Sequence, residues 1–62
     1  MKIYTVRKII SNGAGQLYQY YHTDVLARNK SEAISKAKST TAWRWVDSFD
    51  SSSKPYLEYQ VM

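Results

Sequence analysis

Lys2-Ile3-Tyr4-Thr5-Val6-Arg7-Lys8-Ile9-Ile10, then Ser11-Asn12-Gly13-Ala14-Gly15-Gln16, then Leu17-Tyr18-Gln19-Tyr20-Tyr21-His22-Thr23-Asp24-Val25-Leu26-Ala27 fill the first half of the chain and decide its architecture. The first stretch is rich in β-branched and aromatic residues and holds neither Gly nor Pro, which is the composition of a strand. In the second, Asn12-Gly13 supplies the positive φ angles of a tight turn, and Gly15 suits a bulge. The third resumes the strand composition, so residues 2–27 are expected to form an antiparallel hairpin.

Working outward, the next signal is helical. Asn29 can cap free backbone N–H groups while Glu32, three residues on, reaches back as in a capping box. Ala33, Ile34 and Ala37 then share one face, Glu32 and Lys36 are spaced for an i,i+4 pair on the outer surface, and Lys36 and Lys38 complement the negative end of the helix dipole. A short amphipathic helix follows, with a buried face so rich in alanine that it lies close to a sheet but covers only part of it.

Residues 42–49, Ala-Trp-Arg-Trp-Val-Asp-Ser-Phe, alternate with a period of two, which predicts a strand, a second helix being the competing reading. Alternation would place Trp43, Trp45, Asp47 and Phe49 on one face, and Arg44, Val46 and Ser48 on the other. Asp50-Ser51-Ser52-Ser53-Lys54-Pro55 reads as a turn, and residues 56–62 alternate again, so a second hairpin is expected. The sum is an α+β fold: a single ββαββ domain spanning 1–62, with a mostly antiparallel sheet and one short helix packed on one face. The strand order stays open. The expected core is Tyr4, Val6, Tyr21, Val25, Ala33, Ile34, Ala37, Trp45, Leu57, Tyr59 and Val61.

Composition narrows the function. With 62 residues there is room for one small core, and the 44% apolar and 15% aromatic content is that of an ordered chain. No cysteine is present, so packing and self-association are left to stabilise it. The N-terminus turns charged too soon for a signal peptide, and no apolar run approaches the ~20 residues that span a bilayer, so a cytoplasmic protein without membrane contact is expected. Asn29-Lys30-Ser31 matches a glycosylation sequon but, without a secretion signal, is read as chance.

Catalysis finds no support. His22 is the lone histidine, with Asp24 on the same strand face but no third partner, and no serine sits in a nucleophile elbow. Two such ligands also fall short of a metal site, and Gly13-Ala14-Gly15 lies in a hairpin, away from any helix N-terminus that could bind phosphate. No cofactor is expected.

The informative feature is an excess of large side chains on both sheet faces. Tyr4, Val6 and Ile10 share one face of the first strand, and Ile3 and Ile9 the other; Leu17, Tyr21, Val25 and Ala27 oppose Tyr18, Tyr20, His22 and Leu26 on the second. One short helix cannot cover both, and an aromatic face left open marks an interaction site. The expectation is a non-catalytic protein-interaction or regulatory module, such as an adaptor, an inhibitor or a small viral-type accessory protein. Its binding residues would be Ile3, Arg7, Tyr18, Tyr20, His22 and Arg44, and its partner another protein or a second copy in a homodimer. The alternative is a small basic nucleic-acid-binding domain. The net charge of +4 and an open sheet carrying Tyr with Arg and Lys suit base stacking, although no recognised nucleic-acid motif is present and the basic residues do not cluster in sequence.

Overall fold

In the computed structural model residues 1–62 are described, Ser51 by its backbone alone. The elements run β1 (Lys2–Asn12), β2 (Gln16–Ala27), α1 (Lys30–Ser39), β3 (Arg44–Ser52) and β4 (Pro55–Val61). All four strands form one antiparallel sheet in the order β3-β2-β1-β4, which is the α+β, ββαββ arrangement.

The β1–β2 turn places Gly13, Ala14 and Gly15 at positive φ, rather than Asn12. Helix α1 starts as its sequence implies: the Asn29 side chain accepts from the Glu32 N–H at 2.8 Å. Glu32 reaches one residue further back than a capping box requires, accepting from the Arg28 backbone N–H at 3.2 Å and the Arg28 Nε at 3.0 Å. Lys36 completes the cluster 3.3 Å from Glu32. These bonds hold the Glu32 carboxyl below its ordinary pKa, the Arg28 backbone bond contributing most. Alanines 33 and 37 are fully buried and let the helix sit close to Val6 and Ala27, with Tyr4, Val25, Trp43, Tyr59 and Val61 packed around them.

The second hairpin does not exist. β3 and β4 lie on opposite edges of the sheet and are joined only by Ser53 and Lys54. Three residue steps span at most ~11 Å, whereas the edges of a flat four-stranded sheet lie ~14 Å apart. The sheet therefore curls at this end, and the connection passes against the β1–β2 turn. Ser52 accepts from the Gly15 N–H at 2.8 Å, its hydroxyl donates to the Lys54 carbonyl at 2.7 Å, and a Cβ on Gly13 would stand 3.0 Å from the Lys54 and Pro55 backbones. Pro55, which cannot donate to a ladder, opens an edge strand.

The alternation expected for residues 42–49 also fails, because the first of two bulges in β3 falls within it. Register against β2 shifts between Tyr20 and Tyr21, leaving Val46 as the extra residue, and between Leu17 and Tyr18, where Asp50 adopts φ 40°. Trp45 consequently stays on the helix-bearing face opposite Tyr21, while Asp47 and Phe49 move to the other face opposite Tyr20 and Tyr18.

Two expected core residues are misplaced. Trp45 is 59% exposed and Leu57 57% exposed, because a ten-residue helix spans only ~15 Å and stops short of them. The position expected of Trp45 is taken by Trp43, whose ring meets Tyr59 at 5.9 Å and which packs on the core from just before β3. Ile9, assigned to no core, is buried on the face away from the helix.

The two turn glycines make the crossing testable. Gly13 and Gly15 share a left-handed backbone, φ 81° and 79°, but only Gly13 has chain beside it, Gly15 facing open space. Gly15→Ala should cost roughly 1 kcal/mol of backbone strain, and Gly13→Ala clearly more. Urea unfolding of both variants measures the difference; equal midpoints would show that the β3–β4 connection does not press on the turn.

Candidate functional site

The face opposite the helix is organised as rungs across β2 and β1, extended by β3 and β4 where they are present. Ile3 pairs with Leu26 at one end, Thr5 with Asp24 next, then Gln60, Arg7, His22 and Arg44 in a row, then Glu58, Ile9, Tyr20 and Asp47. Tyr18, Tyr56 and Phe49 occupy the end where the sheet curls. All six residues singled out in the sequence, Ile3, Arg7, Tyr18, Tyr20, His22 and Arg44, lie on this face.

The face divides into two parts. At the curled end Tyr18 meets Tyr56 edge-on at 5.5 Å, reaching across the intervening strand, and Tyr20 meets Phe49 at 4.7 Å. Ile9 is 8% exposed at the floor of a shallow recess that it forms with Tyr18, Tyr20 and Tyr56. Ser11 and Ser52 are buried at the same end. Tyr18 and Tyr20 therefore have a packing role of their own, roofing a small second core. Tyr56 donates to the Glu58 carboxylate, which lowers the pKa of Glu58 and raises that of the phenol.

The other part is uncovered. Ile3 is 73% exposed and its cross-strand partner Leu26 52%, side by side with nothing above them among the described residues. Beside them the Thr5 hydroxyl donates to Asp24 at 2.8 Å, and Arg44 reaches the other Asp24 oxygen at 3.5 Å. Arg7 Nε donates to His22 Nε2 at 3.1 Å while the guanidinium lies 5.4 Å from the Tyr20 ring centre. That bond occupies the imidazole lone pair a general base would need. Among the described residues no three His, Asp or Glu side chains converge as metal ligands, and no helix is long and apolar enough to cross a membrane.

Among the apolar and aromatic residues of this face, the sequence-based site left out Leu26, Ile9, Phe49 and Tyr56. Leu26 had the right strand parity. Phe49 could be found only by locating the bulge; alternation with Leu57 and Tyr59 gives Tyr56 this face, and the strand order its place beside Tyr18. No protein-family model, curated protein or solved structure matches this chain.

Two outcomes follow. Truncating Ile9 should destabilise the fold by about 2–4 kcal/mol although no helix touches it, read by urea unfolding of Ile9→Ala; a loss below about 0.5 kcal/mol would mean that the tyrosine roof collapses freely onto the gap. His22 is held below its ordinary pKa of 6.5, first by lost hydration and then by Arg7 and Arg44, with Asp24 opposing. The unfolded chain takes up this proton first, so the contribution is complete above 6.5 and is lost as pH falls through the lower folded value. An NMR titration of the imidazole should give a midpoint below 6.5, rising in Arg7→Ala; a midpoint above 6.5 would contradict the Arg7–His22 bond.

Proposed function

We propose that the chain is a non-catalytic protein-interaction or regulatory module that docks through the face opposite the helix, and that the surface fitting this face is a second copy of the chain. The observation that carries the reading is the exposed Ile3–Leu26 pair. Two large aliphatic side chains standing in water on a regular sheet form the centre of a docking patch, and the polar groups around them form its rim.

The charges favour protein over nucleic acid on this face. Arg7 and Arg44 stand against Asp24, Asp47 and Glu58, so phosphates would meet more carboxylates than guanidiniums. A face of mixed charge is compatible with its own twofold copy, in which each Arg can meet a carboxylate of the other subunit. Tyr20, Tyr18 and His22 supply the amphipathic surface beside the patch.

Sedimentation equilibrium tests this. The wild-type chain should dimerise, and Ile3→Glu combined with Leu26→Glu should weaken the dimer at least tenfold, ~1.4 kcal/mol, while the thermal melt stays cooperative, since both side chains are exposed. Tyr20→Ala should weaken both association and the fold, because Tyr20 also shields Ile9. A wild-type chain that is monomeric at millimolar concentration would remove the second copy as partner, and a dimer indifferent to the Ile3–Leu26 change would remove this face.

A further inference from the structure

We infer that the helix-bearing side, opposite the proposed docking face, binds single-stranded nucleic acid. The nine Lys and Arg residues look scattered in sequence, but the fold sorts them. Lys2 and Lys8 sit at β1 positions on the helix-bearing face, Arg28 precedes the helix, and Lys30, Lys36 and Lys38 lie on it. Six of the nine basic residues are therefore on this side, with Glu32 among them, while three of the five acidic residues, Asp24, Asp47 and Glu58, lie on the other face. Glu32 is shared by Arg28 and Lys36, at 3.0 and 3.3 Å, and Lys36 also donates to the Leu26 carbonyl. Lys2, Lys8, Lys30 and Lys38 form no ion pair among the described residues.

Charge alone would suit any polyanion. A second feature narrows the class: two of these lysines adjoin aromatic rings. Lys8 Nζ lies 4.6 Å from the Trp43 ring centre and 5.1 Å from Tyr21, and Lys38 Nζ lies 5.6 Å from Tyr59. Trp45, the cross-strand partner of Tyr21, is 59% exposed, and its indole N–H is tethered to Gln19 at 2.7 Å. An ordered, exposed indole is a platform on which a base can stack, while neighbouring ammonium groups hold phosphates, the combination by which single strands are bound without sequence preference. Excess positive charge also opposes a second copy on this side, so the occupant has to be acidic.

The test is fluorescence anisotropy of labelled oligothymidylate at several salt concentrations, with the full chain. Binding should weaken with salt at a slope near −2 in log–log form, as expected for about three lysine–phosphate contacts. Both Trp45→Ala and the pair Lys30→Gln with Lys38→Gln should weaken it roughly tenfold, with unchanged melting, while Ile3→Ser with Leu26→Ser, which keeps the net charge, should leave it intact. No binding at low salt overturns the inference. So does displacement by polyglutamate as effective as by unlabelled oligonucleotide, which would identify an acidic protein segment instead. Binding lost in Arg7→Ala with Arg44→Ala but kept in the helix variants would move nucleic acid to the other face and overturn it as well.

Discussion

A ten-residue helix shields ~15 Å of sheet, whereas β1 and β2, of 11 and 12 residues, run along a molecule 40 Å long. The rest of the structure depends on that mismatch. Where the helix lies, Val6, Ala27, Ala33 and Ala37 lose all contact with water. Beyond its end the same face has no cover among the described residues, and the chain builds a second core on the opposite face. There the sheet curls, the β3–β4 connection passes against Gly13, and Tyr18, Tyr20 and Tyr56 surround Ile9. The two half-cores sit diagonally, on opposite faces and at opposite ends. The uncovered surfaces are diagonal too: Ile3 and Leu26 on one, Leu17, Trp45 and Leu57 on the other.

This geometry explains which features could be read from sequence. Local chemistry was legible. Asn29 caps the helix because its side chain needs only the N–H three residues on, and the first hairpin forms because Gly13 and Gly15 accept a left-handed backbone between two strand-forming runs. Strand parity was legible as well, and it placed Ile3, Arg7, Tyr18, Tyr20, His22 and Arg44 on one face. Features set by nonlocal pairing were hidden. Residues 50–55 carry turn chemistry whether the strands they join are neighbours or lie at opposite edges, and nothing in the composition of Ser53-Lys54 announces that the sheet curls to let them meet. The bulge at Val46 was equally silent, since its residues keep the alternation that it breaks in space.

Trp45 and Leu57 illustrate the remaining error. Both have the parity of the helix-bearing face, and parity alone would bury them. Burial requires cover as well as orientation, and the cover ends with Ser39 and the short link to β3. Ile9 is the converse case: its face has no helix, yet curvature and three phenol rings bury it. Face assignment followed from the sequence except for Asp47 and Phe49 beyond the Val46 bulge, while depth required the third dimension.

The same separation of local from nonlocal information governs charge. Along the chain the basic residues are spread out and interleaved with aromatic ones, which suggests an evenly solvated surface. Folding places Lys2 and Lys8 beside the helix lysines and sends Asp24, Asp47 and Glu58 to the other face, giving one side of strong positive charge and one that is slightly acidic. Each side then has an apolar or aromatic centre within a different electrostatic rim: Ile3 and Leu26 among paired Arg and Asp, Trp45 on the side that carries the unpaired lysines. Apolar burial can supply affinity at either centre, whereas the rims set which partner can approach, since a like-charged surface is repelled before contact and an opposite one is steered. A ligand suited to one face is therefore disfavoured at the other by its own charge, so a chain this small can present two surfaces without their competing for the same partner.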